Sequence, residues 1–240
     1  MTGCLYYDDA YTRSFTAEVT EARDSYYGLS VTAFYPGGGG QPPDRGKLTY
    51  DGVSIQVLEA YQDENHRIWH ITDGPLGVGF QVLGQLDWER RYALMRHHTL
   101  LHIVNTVVLR EYHGAITGVQ IGEETSRIDF NLEGFTREEI PLLEEKVNAV
   151  ITRNLSVNAG FISEQEFHQR PELVRTRNVM PPIINGMLRV VEIVGFEAQA
   201  CGGTHVRNTQ EVGPCRVCKF DNKGKSNKRF YVTLTEHPKE

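Results

Sequence analysis

"DWERRYALMRHHTLLHIVNTVVLREYHG", residues 87–114, is where the pattern of the chain changes and where its fold is decided. Asp87 is a candidate N-cap, good helix formers follow it, and Gly114 offers a stop. Leu94, Leu101, Val104 and Val108 recur at helical spacing, which predicts one long amphipathic helix.

Upstream of Asp87 the period is two. "FTAEVTEAR" (15–23) alternates Phe15, Ala17 and Val19 with polar neighbours, and "LSVTAFYP" (29–36) alternates Leu29, Val31 and Ala33. Asp51-Gly52 separates two alternating runs, a strong hairpin signal, and Asp73-Gly74-Pro75 marks another turn. Short strands at this spacing with no helical pattern between them predict a small β-barrel over residues 1–86.

Downstream, "GAITGVQIG" and "SRIDFNLEGF" read as a strand pair. A second helix is expected over about 137–154, capped by Thr136 with Glu139 closing a capping box. Ile140, Leu143, Val147, Val150 and Ile151 form its buried stripe. There follow a strand at "LSVNAGFIS", a short helical or irregular segment near 164–173, strands around "LRVVEIVGFEAQA" and "CRVCKF", and a last strand at "RFYVTLT". The fold class is therefore α+β: an N-terminal barrel, then a domain over 87–240 with helices on one side of a largely antiparallel sheet.

Composition narrows the function classes. The chain has 240 residues, 40% hydrophobic and 23% charged, the balance of a soluble globular protein. Four cysteines are too few for a disulfide framework. The N-terminal residues have neither a basic region nor an apolar run, and no stretch approaches the roughly 20 apolar residues of a membrane helix. A cytoplasmic protein with reduced thiols is expected. The net charge of −6 argues against nonspecific nucleic-acid binding, but the charge is uneven. Between 215 and 234, Arg216, Lys219, Lys223, Lys225, Lys228 and Arg229 face one acid, Asp221. Lys223, Lys225, Lys228 and Arg229 are candidate tRNA contacts; a solvated hairpin with charged edges explains them equally well.

The residues with chemistry fall into pairs. His98 and His102 lie one helical turn apart on one face, a spacing that lets two imidazoles share a metal ion. Thr99 follows the first histidine, so the glutamate base of an H-E-x-x-H protease is missing. His97 points about 100° away and reads as a polar-face residue. In "EAQACGGTHVRN" (197–208), Cys201 and His205 flank Gly202 and Gly203, which permit positive φ and close approach of backbone amides. Two borderline-soft pairs suit Zn²⁺. Cys215 and Cys218 form a C-x-x-C, but on a strand residues three apart face opposite sides, and Cys4 has no partner in sequence. "YPGGGGQPPDRG" (35–46) is neither a P-loop nor a dinucleotide fingerprint; prolines on both flanks argue that its glycines serve a required backbone shape.

Together "RRYALMRHHTLLHIV", "GGGGQPPDRG" and "CGGTHVRNTQEVG" resemble the editing domain of alanyl-tRNA synthetase and its free-standing relatives, the AlaX proteins. The glycine-rich motif ahead of the helix resembles the longer AlaX type with an N-terminal barrel. The resemblance implies that His98, His102, Cys201 and His205 hold zinc. It implies a hydroxyl-recognising residue at Thr117 or Gln120, and a pocket that includes Gly38, Gly39, Gly40 and Gln41. The implied substrate is tRNA(Ala) wrongly charged with serine, and also glycine, hydrolysed without ATP.

A zinc-bound water is the attacking group this reading suggests, with the amides of Gly202 and Gly203 near the oxyanion. No side chain is singled out as the catalytic base or acid. Four protein ligands usually make a closed structural site, so zinc that positions rather than cuts stays open. Two rivals remain: a tRNA-binding module with structural zinc, and an editing hydrolase for another mischarged tRNA. The exposure expected of a glycine-flanked loop argues against the first, and the glycine-rich barrel motif against the second.

Overall fold

Alternation carries the N-terminal part of the chain into strands. A computed structural model describes residues 2–174, 183 and 186–235. Strand β1 (Gly3–Cys4) and the single turn α1 (Leu5–Asp8) precede β2 (Ser14–Arg23), β3 (Tyr26–Leu29), β4 (Val31–Thr32), β5 (Gly46–Tyr50), β6 (Val53–Gln62), β7 (Ile68–Thr72) and β8 (Gln81–Leu86). Six of them close into a barrel in the order β2-β3-β7-β6-β5-β8, every pairing antiparallel. Phe15, Ala17 and Val19 point inward with Leu48, Val57 and Val82, which is the face the alternation predicted.

Turn chemistry sets the register. Asp51 and Gly52 take φ values of 46° and 77°, the double left-handed turn that a two-residue hairpin needs, and Tyr50 pairs with Val53 across it. "LSVTAFYP" is not one strand, contrary to its pattern. β3 ends at Leu29 and β4 pairs in parallel with β1, while Ala33, Phe34 and Tyr35 are buried in succession. Gly37, Gly38, Gly39 and Gly40 all take positive φ, from 59° to 130°, which explains four glycines in a row. Gly38 and Gln41 exchange backbone hydrogen bonds of 3.0 and 2.9 Å, and the Tyr35 hydroxyl donates to the Gly38 carbonyl at 3.2 Å. Asp44, at the end of this loop, is buried against Arg91, whose Nε lies 2.9 Å from both carboxylate oxygens.

The chain divides into two compact units, Met1–Tyr92 and Ala93–Glu240. Helix α2 (Trp88–Tyr112) begins where expected: the Asp87 side chain accepts the Arg90 amide at 3.2 Å. Its end differs. His113, with φ of 55°, takes the left-handed cap position, and Gly114 is needed because a Cβ there would lie 2.7 Å from Val108 Cγ1. Nor is α2 amphipathic: every residue from Leu94 to Val108 is buried. The polar ones are held by specific partners, so the apolar periodicity marked only part of a helix enclosed on all sides.

Around α2 lie β9 (Ala115–Gln120), β10 (Thr125–Asn131), the 3₁₀ turn 137–139, α3 (Ile140–Thr152), β11 (Val157–Ser163), α4 (Glu164–His168), β12 (Met187–Ile193), β13 (Glu197–Ala200), β14 (Cys215–Asn222) and β15 (Asn227–Leu234). The capping box forms, with Glu139 accepting the Thr136 amide at 2.8 Å. Two antiparallel sheets replace the single one expected: β14-β15-β10-β9 and β11-β12-β13. "LRVVEIVGFEAQA" is itself a hairpin, turning at Gly195 with φ of 71°. Asn148 on α3 exchanges hydrogen bonds of 2.9 Å with the backbone of Cys215, so a side chain completes the edge of β14. No helix among the described residues is long and apolar enough to cross a membrane.

Candidate metal centre

The β12–β13 hairpin sorts its residues by face. Ala198 and Ala200 pack with Leu188 and Val190 on the side of Phe167 and Leu173. Glu197 and Gln199 point the other way, and period two carries Cys201 to their face. Three anchors bring α2 to this hairpin and the loop after it. Arg96 donates to the Val212 carbonyl at 2.8 Å, the Thr99 hydroxyl accepts the Val206 amide at 3.3 Å, and Arg110 lies 4.9 Å over the Phe196 ring.

One nitrogen or sulfur from each of His98, His102, Cys201 and His205 lies within 4.8 Å of all the others. Cys201 Sγ is 3.5 Å from His98 Nε2 and 3.4 Å from His205 Nε2. The edges of a tetrahedron with zinc-like bond lengths come to about 3.3–3.6 Å, so these separations fit one ion in the middle. Three imidazoles and a thiolate are a donor set that zinc accepts. His98, His102 and His205 are 5%, 7% and 6% exposed, and Cys201 is half-buried.

The electrostatics favour ligand forms. Burial alone would raise the Cys201 thiol, but His98, His205 and His102 outweigh it and hold it well below its ordinary range. Burial lowers His98, and lowers His205 further with help from the other two imidazoles. His102 is the exception. Burial opposes its charge, yet Cys201 and Glu197 raise it to about 9, because two buried anions call for a positive charge at this point. A dication bound here would supply that charge instead.

Contacts behind the ligands fix their orientation. His102 Nδ1 is 3.1 Å from Glu197 Oε1, and His205 Nδ1 is 3.1 Å from Thr99 Oγ1. Arg189 donates to the carbonyls of Cys201 and Gly203 at 3.0 and 2.7 Å, clamping the turn. The sequence pattern gave no role to Glu197 or Arg189, and marked Thr99 only as the place of a missing glutamate. The signal was present for Glu197: in "EAQAC" polar residues alternate with alanines and end on the ligand.

Several expectations need correction. His97 is not on a polar face; it is buried, its pKa lowered to about 4 by burial and by Arg96, with Nδ1 3.0 Å from the Ser126 hydroxyl. The loop is not exposed, since Gly203, Thr204, His205 and Val206 are buried around the third and fourth ligands. Neither Gly202 nor Gly203 takes a positive φ, and the Gly203 amide donates to Cys201 Sγ at 3.4 Å, serving the thiolate. Cys215 is buried and Cys218 exposed, so the C-x-x-C forms no site.

The other candidates sit as follows. Thr117 and Gln120 are exposed on β9, and Thr117 falls where the β9–β10 register skips from Gly118 to Ile116. Gly38, Gly39, Gly40 and Gln41 belong to the barrel unit, the three glycines exposed and Gln41 buried. On the basic hairpin Lys223 and Lys225 are exposed. Lys228 is buried, donating to Asn222, Gly224 and Lys225 at the hairpin's own turn, and Arg229 is bound bidentately to Asp129.

Residues 188–231, which carry the hairpin and the second ligand pair, match the family described as the threonyl and alanyl tRNA synthetase second additional domain. Alanyl-tRNA editing protein AlaX-M of Methanosarcina acetivorans is 40% identical, the match covering 98% of this chain and 100% of the relative. The protein of that name from Saccharolobus solfataricus is 39% identical over 98% of this chain and 99% of its own. Alanine–tRNA ligase of Pyrobaculum neutrophilum is 36% identical over 97% of this chain, which spans 27% of that longer protein. Similarity from end to end, through the barrel and both halves of the metal cluster, means that the chain belongs to the AlaX-M family of alanyl-tRNA editing proteins.

Proposed function

We propose that this protein is a trans-editing hydrolase of the cytoplasm that deacylates tRNA(Ala) mischarged with serine, and also with glycine. Its centre is zinc held by His98, His102, Cys201 and His205. The observation that carries the reading is the buried cluster of three imidazoles and a thiolate in a chain similar over its full length to alanyl-tRNA editing proteins. Residues 1–86 serve as the barrel domain and 87–240 as the editing domain.

Zinc at this point supplies Lewis acidity toward the ester or toward the attacking water. The chain's own residues do the rest. Thr99 and Arg189 hold the ligand loop rigid, and the Gly203 amide supports the thiolate. On the barrel unit Gly38, Gly39, Gly40 and Gln41 are substrate-binding residues in this reading, the positive φ values of the glycines permitting close backbone approach to a ligand. Thr117 recognises the serine hydroxyl, with Gln120 further along the same strand. A site built to bond a hydroxyl rejects alanine strongly, because its polar group is then left unpaired. Glycine needs a different discrimination, exclusion of the alanine methyl. Lys223 and Lys225, exposed although 3.7 and 3.9 Å from Asp221 and Glu133, are the tRNA contacts in this reading.

A second reading, a tRNA-binding module with structural zinc, is favoured by the burial of the ligand loop and the four-ligand set. Deacylation rates on Ser-, Gly- and Ala-tRNA(Ala), with Ser-tRNA(Thr) alongside, test both. The proposal expects rapid loss of the first two and little of the others. Binding of tRNA(Ala) with Ser-tRNA(Ala) left intact would establish the second reading.

A further inference from the structure

The hairpin that delivers Cys201 also delivers a carboxylate that none of the four ligand positions uses. The Glu197 side chain is 0% exposed and stands behind His102. Its Oε1 is 3.1 Å from His102 Nδ1 and 3.3 Å from Gln199 Nε2. Its Oε2 is buried with no hydrogen-bond partner among the described residues. A carboxylate enclosed in this way, half of its bonding capacity unmet, is costly unless a positive charge lies close by.

We propose that Glu197 is a positioning residue for the metal: it fixes the tautomer of His102 and offsets the charge of the bound ion. This inference rests on the metal-centre reading. An ionised carboxylate only accepts hydrogen bonds, so Nδ1 must carry the ring proton and Nε2 must present its lone pair to the cluster. His205 has no such constraint, because the Thr99 hydroxyl facing its Nδ1 donates as well as accepts. Glu197 thus sets a carboxylate behind the His102 ring, where His205 has a neutral hydroxyl.

The charges agree with this role. A dication with the Cys201 thiolate would leave one positive charge, and Arg189 on β12, bonded to the Cys201 turn, adds another. Glu197 takes one of these away without occupying a coordination position. Its place follows from the strand: residues 197, 199 and 201 share a face, so the backbone that sets the thiolate also sets the carboxylate.

Zinc affinity, measured on metal-stripped protein by competition with a chromophoric chelator, tests the proposal on wild type, Glu197→Gln and Glu197→Ala. Glu197→Ala is expected to bind zinc about 10–100-fold more weakly, the usual effect of losing a partner behind a ligand. Glu197→Gln keeps the shape and an acceptor oxygen but not the charge, and is expected to fall between the two. Melting temperatures with and without zinc give the control. A merely structural role lowers both equally, whereas the proposed one shrinks the rise that zinc produces. Wild-type zinc binding matched within twofold by both variants would overturn the role of Glu197 and leave the metal centre standing. A wild type that takes up no zinc would overturn the metal centre, and this inference with it.

Discussion

His70 on β7 shows how this chain treats a buried histidine that serves no ligand cluster. Its Nδ1 is 3.0 Å from the Tyr27 carbonyl, which only accepts, so Nδ1 is protonated. Nε2 then accepts from the Thr32 hydroxyl at 2.8 Å, and that oxygen in turn accepts the Phe34 amide at 3.1 Å. The neutral ring is fully satisfied, and burial lowers its pKa to about 4. The unfolded chain binds this proton near the ordinary value of about 6.5 and the folded chain does not, so stability is whole above that value and falls as pH drops toward 4. The loss reaches about 3 kcal/mol across the window. Urea denaturation of wild type and His70→Asn at pH 7, 6 and 5 checks this. Wild type should lose stability more steeply than the variant between 6.5 and 5, and parallel curves would refute the assignment. At the same scale, Thr117→Val is expected to slow deacylation of Ser-tRNA(Ala) about 10–100-fold while sparing Gly-tRNA(Ala), the signature of a lost hydroxyl contact. Equal rates on the serine substrate would remove Thr117 from the site. Spacing in the sequence picked out His98 with His102 and Cys201 with His205 as two candidate pairs, and the structure brings their side chains together. Spacing misjudged His97, because one imidazole on a helix gives no sign of the Ser126 hydroxyl that meets it from β10.

Among the elements, hairpins were legible wherever a turn carried its own chemistry. Asp51-Gly52 announced β5 and β6, whereas the β12–β13 turn lies inside "EIVGFEA", where a single glycine in an apolar run gives alternation nothing to break on. Helix α2 was legible in existence and start but not in environment, since its polar residues are enclosed by groups distant in sequence. Glycine roles likewise divide by what surrounds them. A Cβ on Gly46 would lie 2.1 Å from the Gln85 carbonyl, across the β5–β8 pairing that helps close the barrel. At Gly39 nothing lies within 4 Å and only its φ of 59° resists a side chain. Gly46→Ala is therefore expected to destabilise by more than about 2 kcal/mol, and Gly39→Ala by about 1 kcal/mol. Chemical denaturation followed by tryptophan emission reads both, because Trp69 and Trp88 lie in the barrel unit. Equal losses would show that the close approach at Gly46 relaxes freely.

Across the whole molecule, the site joins segments far apart in the chain: His98 and Cys201 are 103 residues apart. No local pattern encodes that meeting. It was reached because two incomplete ligand pairs each called for the other, and because the motifs around them resemble one family. The two-sheet arrangement of the second unit was out of reach, since which strands pair depends on faces rather than on order. In the proposed function the His98, His102, Cys201 and His205 cluster holds the metal on which hydrolysis of mischarged tRNA(Ala) depends. The most direct test is the initial rate on Ser-tRNA(Ala) of protein stripped of metal by chelation, shown to be folded by circular dichroism, then resupplied with zinc. Hydrolysis should be lost on stripping, return with about one equivalent of zinc, and fail to return in His98→Ala. Hydrolysis undiminished in folded, metal-free protein would contradict that dependence.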